Sequence, residues 1–152
     1  MSYNHPSAVR FTCIKCGICC GDTQEKVRHI LLMTTEAEKI ANSTEKTVSE
    51  FAAKVEGRLP YSYEMRKTPG NGKCIFLKQN QCTIYALRPL ICRFYPFELK
   101  IGQNQKPEFL HTNECPGIGK GKTLREIDFR KLFKKAQTGA RMERRQNEGQ
   151  TS

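Results

Sequence analysis

Residues 13–20 read CIKCGICC, so four thiols lie within eight positions of the chain. In a C-x2-C loop the turn brings two sulfurs to face one ion, while backbone N–H groups point at them. Two such loops overlap here and share Cys16, and Gly17 suits a turn that needs positive φ. The same spacing begins the ligand pattern of bacterial ferredoxins, which a later Cys-Pro pair completes. Cys115-Pro116 is the one such pair in the chain, so the stretch predicts a metal or cluster site.

Disulfide bonds and burial as inert thiols account for these cysteines less well. Residues 1–10 are polar and lack the apolar segment of a signal peptide, which favours a chain that stays in the reducing cytoplasm. Cysteines there are more often metal ligands or catalytic thiols than disulfides. Burial as inert thiols suits one or two of the later cysteines at most. We therefore predict metal ligation by all eight cysteines: Cys13, Cys16, Cys19, Cys20, Cys74, Cys82, Cys92 and Cys115.

The composition predicts one small soluble domain that depends on its metal. The chain has 152 residues, and 38% of them are hydrophobic, which is low for a globular protein. Metal binding adds folding free energy, on the order of 10 kcal/mol per structural site. The longest apolar run, from Ile30 to Met33, is far too short to span a membrane. The formal net charge of +11 favours anionic partners without naming one.

The patterning predicts an α+β fold with short β-hairpins, a two-helix insert and a C-terminal helix. We divide the chain into a lead-in (1–10), a cysteine-cluster domain (11–137) and a basic flexible tail (138–152). A capping box at Thr35 predicts a helix over 36–41, and apolar spacing from Val48 to Val55 predicts another over 45–55. The remaining predictions are strands over 26–33, 61–65, 98–101 and 107–111, a hairpin over 74–82, a helical turn over 84–87, and a helix from Leu124.

Two arginines flank Cys92 in an otherwise apolar and aromatic stretch. A thiolate centre carries net negative charge, and guanidinium groups lower the cost of burying it and donate hydrogen bonds to sulfur. We expect Arg88 and Arg93 to take this role, although both could simply face solvent. His29 and His111 are weaker candidates as ligands, since eight cysteines already make two full sets.

The chain resembles the YkgJ-type cysteine-cluster family, whose CxxCxxCC domain is described as zinc- or iron-chelating. The resemblance spans roughly residues 11–116 and includes Tyr95, where the family commonly has Phe. It implies metal or iron–sulfur chelation by these cysteines and little about a reaction. The domain also looks like part of bacterial flagellin lysine methylases. The matching motifs are Cys13-x2-Cys16-x2-Cys19-Cys20, Cys74-x-Phe76-Leu77, Cys82-x-Ile84-Tyr85 and Arg88-Pro89-x2-Cys92-Arg93-x-Tyr95-Pro96.

Eight thiols divide naturally into two sets of four. Neighbouring residues of an extended chain point to opposite sides, so Cys19 and Cys20 should serve different centres, or one of them should support a centre without binding its metal. The sets we predict are Cys13, Cys16, Cys19 and Cys115, and Cys20, Cys74, Cys82 and Cys92. Soft thiolates suit both zinc and a four-iron (4Fe-4S) cluster, and the ferredoxin-like spacing favours the cluster.

Three functions remain open from the sequence. The favoured one is an iron–sulfur protein that handles electrons for, or assists, a partner enzyme. The second is a zinc-stabilised module whose C-terminal helix contacts nucleic acid or an acidic partner, because residues 120–145 contain ten Lys or Arg against three Asp or Glu. The third is a subunit of a protein-modifying enzyme of the lysine-methylation type. Dinucleotide, P-loop and zinc-protease motifs are absent, so we expect no catalytic residue in this chain.

Overall fold

The computed structural model describes residues 3–14, 16–24, 26–102 and 105–150, with Ile101 and residues 141–150 described by their backbone. These residues form an α+β fold of short helices and small antiparallel sheets, as predicted. The helices are α1 (Thr34–Thr44), α2 (Val48–Phe51), α3 (Leu90–Phe94) and α4 (Glu126–Gln150), with 3₁₀ turns at Ile18–Cys20 and Tyr85–Leu87. The strands are β1 (Arg10–Phe11), β2 (Leu31–Leu32), β3 (Ala52–Lys54), β4 (Tyr63–Met65), β5 (Leu77–Lys78), β6 (Gln81–Cys82), β7 (Phe97–Ile101), β8 (Pro107–His111) and β9 (Ile118–Thr123).

Two separate clusters of buried side chains form the interior of the described part of the chain. The first lies between α1 and the sheet of order β2-β4-β3, with Leu32, Ile40 and Phe51 almost fully buried. The second is aromatic and lies between the β7–β8 hairpin and α4, with Phe109 and Phe129 at its centre. Each cluster is small, since 152 residues with a low apolar content cannot build one large core.

The first residues of the chain pack on the aromatic cluster. The Tyr3 ring lies 4.7 Å from the Phe133 ring, and the His5 ring stacks on Phe129 at 4.9 Å between centroids. The backbone N–H of Phe109 donates to the carbonyl of Asn4 at 2.9 Å. The lead-in predicted for residues 1–10 therefore contributes to the interior, and its last residue begins β1.

The helix predicted over 45–55 is wrong. A single turn, α2, ends at Phe51, and Ala52 begins β3, which pairs with β4 in the register Ala52↔Met65. The apolar spacing from Val48 to Val55 fits a helix, but pairing with a strand more than ten residues away decides the conformation. The strand predicted over 26–33 is likewise reduced to Leu31–Leu32.

Helix α1 begins at Thr34 rather than at Glu36. The backbone N–H of Met33 donates to Oε1 of Glu36 at 3.0 Å, so the acidic side of the capping box lies two residues earlier than predicted. The other oxygen of Glu36 accepts from the N–H of Leu90 at 2.5 Å, which fixes α1 against the start of α3.

Several more of the predicted elements are confirmed. Strands β4, β7 and β8 and the β5–β6 hairpin lie where alternation and turn residues predict them, and the 3₁₀ turn at Tyr85–Leu87 matches the predicted helical turn. The last helix, α4, continues past Gly139 to Gln150, so the boundary predicted after residue 137 falls inside one helix. Among the described residues, no helix has both the length and the apolar character that a membrane span requires.

Candidate metal centre

Within the CIKCGICC stretch the chain bends at Gly17 and enters the 3₁₀ turn Ile18–Cys20. Gly17 takes φ +80°, as its place in the turn predicts, and its carbonyl accepts from the N–H of Cys20 at 3.1 Å. The turn brings the sulfurs of Cys19 and Cys20 to 3.9 Å from each other. The expectation that these neighbours point to opposite sides is therefore wrong, because the chain is not extended here.

The β5–β6 hairpin reaches the same turn. A Cβ on Gly17 would lie 2.3 Å from Oδ1 of Asn80, at the tip of the hairpin, so a larger residue would have to displace the Asn80 side chain. The hairpin carries Cys82 at the end of β6, opposite Leu77. Contact between the hairpin tip and Gly17 places Cys82 beside the cysteine turn.

Cys74 is held next to the turn by backbone pairing. Its N–H donates to the carbonyl of Cys20 at 2.5 Å, and the N–H of Asp22 donates to the carbonyl of Gly72 at 3.0 Å. A Cβ on Gly21 would lie 2.6 Å from that Gly72 oxygen. The Cys74 sulfur is buried and accepts from the N–H of Phe76 at 3.4 Å.

Five thiols thus converge from four separate segments, and we call them the larger thiol group. Cys92 joins it from α3, where its N–H donates to the carbonyl of Pro89 at 2.9 Å. Most members border the first hydrophobic cluster, and the charges of Cys19, Cys74, Cys82 and Cys92 each raise the pKa of another thiol in the group. The group consists of Cys19, Cys20, Cys74, Cys82 and Cys92.

The electrostatics of this group favour a single thiolate in the metal-free state. The pKa of Cys19 falls to about 6, chiefly because of its hydrogen bond with Cys20, with help from the charges of Arg28 and Arg88. The same hydrogen bond raises the pKa of Cys20. Burial raises the pKa of Cys92 to about 12. Such thiols ionise together only if a cation lies among them.

The three remaining cysteines form a smaller thiol group around the β1–β9 pair. The N–H of Thr12 donates to the carbonyl of Gly117 at 3.3 Å, which places Cys13 beside Cys115. Burial raises the pKa of Cys115, and the charges of Cys16 and Cys13 raise it further. The residues predicted as ligands therefore lie in groups of five and three, and their division into two sets of four remains a prediction.

The donor set fits a soft metal. All eight cysteines are free thiols, and thiolate sulfur is the ligand that zinc and iron–sulfur clusters share. Within the described ranges, no three Cys, His, Asp or Glu side chains already have the arrangement of a metal site. The fit therefore rests on donor chemistry and on proximity, and the ligand list remains a prediction.

Arg28 lies beside the thiols, although no sequence pattern marked it as part of the site. Its Nε donates to the carbonyl of Cys19 at 3.2 Å, and its Nη2 donates to the carbonyl of Ile91 at 3.4 Å. Its guanidinium carbon lies 5.2 Å from the centre of the Tyr95 ring. The signal available was a charged residue close to the cysteine turn, within a stretch that was predicted to be a strand.

The two predicted arginines lie on either side of Cys92 in the chain. Arg88 stacks on the ring of Tyr85 at 3.8 Å, and its charge lowers the pKa of both Cys19 and Cys82. Arg93 donates to the carbonyls of Arg88 and Ala86 at 2.8 and 3.0 Å, so it braces the segment before α3. Hydrogen bonding from either guanidinium to sulfur remains a prediction.

Tyr95 lies between the two thiol groups. Burial, followed by the charge of Cys115, raises its pKa to about 12, and the charge of Cys19 also raises it. Its hydroxyl is buried and has no partner, the one such side-chain oxygen or nitrogen among the described residues. A buried hydroxyl of this kind usually has a partner, so a bound centre is a natural acceptor for it.

The two histidines considered as ligands have different neighbours. Nδ1 of His29 contacts Oε1 of Glu64, a residue of β4. His111 is exposed at the end of β8, and its ring lies edge-on to Phe97 at 6.3 Å.

Comparison with known proteins gives the family. The model of the CxxCxxCC family, described as a putative zinc- or iron-chelating domain, matches residues 12–116. The uncharacterized protein MJ0661 of Methanocaldococcus jannaschii is 32% identical over 97 residues, which cover 62% of this chain and 49% of that protein. MJ0939 of the same organism, also uncharacterized, is 26% identical over 125 residues, which cover 78% and 41%. The chain spans less than half the length of either relative, and no solved structure matches it.

The matched range includes all eight cysteines, from the turn at Cys13 to the buried Cys115. Both thiol groups and the segments that position them lie inside it. This chain is a cysteine-rich, metal-binding protein, and it belongs to the CxxCxxCC family of zinc- or iron-chelating domains.

Proposed function

We propose that the chain binds iron–sulfur clusters through its cysteines and serves in electron transfer or as an accessory to a partner enzyme. The observation that carries the proposal is the larger thiol group itself. Five sulfurs from four segments gather at the edge of a hydrophobic cluster, beside the guanidinium groups of Arg28 and Arg88. Proteins rarely collect so many thiols in one place without a soft ion to share them.

The charges around the group support a centre with net negative charge. A four-iron cluster of charge +2 held by four thiolates carries about −2. Two guanidinium groups beside it balance that charge, and Arg28 lowers the pKa of both Cys19 and Cys92. When bound, the cluster would supply one-electron redox chemistry.

We assign the ligands by combining proximity with spacing. Cys20, Cys74, Cys82 and Cys92 would hold the centre in the larger thiol group. Cys19 is the fifth thiol there, and its C-x2-C spacing from Cys16 makes it the candidate fourth ligand for the smaller group. Because the sulfurs of Cys19 and Cys20 lie 3.9 Å apart, the two centres would then lie close together. A reducing, cytoplasmic location is part of this proposal, because it requires free thiols.

Zinc in the same sites is the alternative, and one preparation of the protein distinguishes zinc from iron–sulfur clusters. The protein is purified under anaerobic conditions, and iron, zinc and acid-labile sulfide are measured per chain. We expect iron and sulfide in equal amounts, with visible absorbance at roughly 400 nm that dithionite bleaches. Colourless protein with about two zinc ions per chain would contradict the iron–sulfur proposal and establish the zinc form.

A matched pair of variants tests whether the measured metal is bound by the larger thiol group. Cys82→Ser removes one thiol, and Thr83→Ser changes the next residue while keeping the hydroxyl that donates to the carbonyl of Phe76 at 2.8 Å. We expect Cys82→Ser to lose the metal of that group and Thr83→Ser to retain it. Equal metal content in both variants would exclude Cys82 as a ligand.

The part that this chain plays in a larger assembly is a further proposal. The two archaeal relatives are more than twice as long as the regions that match, so their additional segments could supply a partner or an active site. An accessory role in protein modification of the lysine-methylation type is compatible with that arrangement.

A further inference from the structure

A groove of about 440 Å³ lies between α1, α3 and α4, and Arg88 is one of the residues that line it. Its rim carries five cationic side chains and its walls a single carboxylate, that of Glu36. In the described part of the chain, none of the five forms an ion pair with Asp or Glu. The cations are Lys39, Arg88, Arg93, Lys134 and Lys135.

The floor of the groove is apolar. Leu87 and Leu90, which are both partly exposed, line it together with the almost fully buried Met33. Its size lies in the range of binding pockets for small ligands or for one or two side chains of a peptide. An apolar floor within a cationic rim suits a ligand that is apolar in the middle and anionic at its edges.

The N-terminus of α3 opens into this groove, but its amide is not available to a ligand. The N–H of Leu90 already donates to the carboxylate of Glu36 at 2.5 Å. A compact phosphate site normally combines such amides with side-chain donors. Here the positive charge is instead spread along the rim on long side chains from separate elements.

We propose that this groove binds an acidic peptide segment of a protein partner, with an apolar side chain on the floor and carboxylates on the rim. The charge of the rim would steer the partner to the face beside Arg88, whose charge also acts on Cys19 and Cys82. The proposal goes beyond the metal function and does not depend on which metal the thiols hold.

Fluorescence anisotropy with a labelled probe tests the proposal. The probe is the peptide Glu-Glu-Leu-Phe-Glu-Glu, compared with a Gln-Gln-Leu-Phe-Gln-Gln peptide and with Glu-Glu-Ser-Ser-Glu-Glu. We expect the first peptide to bind, and each of the two comparison peptides to bind roughly tenfold more weakly, because one lacks charge and the second lacks the apolar anchor. Raising the salt concentration should weaken binding of the first peptide.

Charge reversal locates the site. The double variant Lys134→Glu with Lys135→Glu should bind the first peptide roughly tenfold more weakly than the wild type. The control, Lys120→Glu with Lys122→Glu, reverses two exposed charges on β9 and should change the affinity less than twofold. Metal content and melting temperature establish whether each double variant folds. If the Lys134→Glu with Lys135→Glu protein does not fold, Lys39→Glu on α1 takes its place.

Two results would overturn the inference. One is equal binding of the first peptide to both double variants, which would mean a diffuse attraction to the basic surface. The second is tighter binding of ATP or of a single-stranded oligonucleotide, lost in Lys134→Glu with Lys135→Glu, which would make the groove a phosphate site.

Discussion

The sulfur atoms of Cys19 and Cys20 lie 3.9 Å apart, although their residues are neighbours in the chain. The 3₁₀ turn that Gly17 begins makes this possible, because it bends the backbone between them. Two thiols so close share a proton, so one becomes a thiolate and its neighbour stays protonated. This pair is the chemical centre of the larger thiol group.

The first prediction concerns the reactivity of this pair. In metal-free protein Cys19, with a pKa of about 6, should be alkylated first by iodoacetamide. Because the thiolate is the reactive form, the rate should rise with pH to a midpoint near 6 and change little above pH 7. Brief alkylation at several pH values, read by peptide mass spectrometry, checks this. Cys92, buried and with a pKa of about 12, should remain unmodified at neutral pH.

Replacing Arg28 should weaken both the fold and the metal site. Arg28→Gln loses a charge beside the thiols and the contacts to the carbonyls of Cys19 and Ile91. We expect a fall in unfolding free energy of about 1–3 kcal/mol and weaker retention of metal against a chelator. Arg66→Gln is the control, since the Arg66 side chain is exposed and contacts one carbonyl, that of Ser49. Similar losses in the two variants would contradict a specific role for Arg28.

The smaller thiol group should depend on the close approach of two backbones. A Cβ on Gly117 would lie 2.2 Å from the carbonyl oxygen of Thr12, so Gly117→Ala must push β1 and β9 apart. We expect a loss of about 1–3 kcal/mol in unfolding free energy and loss of the metal that Cys13 and Cys115 hold. Gly119→Asn, at an open position whose φ of +88° Asn adopts more readily than most residues, should lose less stability than Gly117→Ala and keep the metal. Unchanged metal content in Gly117→Ala would show that these cysteines need no such contact.

The variant Tyr95→Phe should affect metal retention without lowering the stability of the metal-free protein. In metal-free protein the hydroxyl has no partner, so its removal should leave the unfolding free energy unchanged or raise it by about 1 kcal/mol. In the loaded protein the same variant should release metal faster, because a donor to the centre is lost. Tyr3→Phe is the control, as its hydroxyl contacts Glu126 at the surface. A large loss of stability in metal-free Tyr95→Phe would mean that the hydroxyl has a structural partner.

The end of the chain should be dispensable for metal binding. Residues 140–152 contain no cysteine, and the aromatic cluster of α4 lies before them at Phe129 and Phe133. Truncation after Gly139 should therefore leave the metal content per chain unchanged by elemental analysis. Loss of metal on truncation would show that residues 140–152 are needed to hold the metal sites together.

Local patterns were enough to predict much of the fold. The β5–β6 hairpin and β8 are marked by turn residues and alternation within a few positions, and both formed where predicted. The prediction of a helix over 45–55 was wrong because Ala52 pairs with Met65 of β4 and so begins a strand. Sequence spacing alone cannot distinguish these outcomes, since β pairing depends on a distant strand.

The ligand candidates were easier to predict than their grouping. Four cysteines in eight positions indicate a metal site by themselves, whereas the division into groups depends on long-range pairing of Cys74 with Cys20 and of Thr12 with Gly117. Arg28 was missed for the same reason, because its contact with Ile91 spans 63 residues. The error over Cys19 and Cys20 was local and came from assuming an extended chain where Gly17 allows a turn.

X-ray absorption at the metal edge of the purified protein tests the central claim most directly, since it reports the atoms bound to the metal whichever metal is present. We predict a first shell of sulfur alone, at roughly 2.3 Å, for every ion that copurifies in stoichiometric amount. A first shell of nitrogen and oxygen would contradict thiolate ligation by these cysteines.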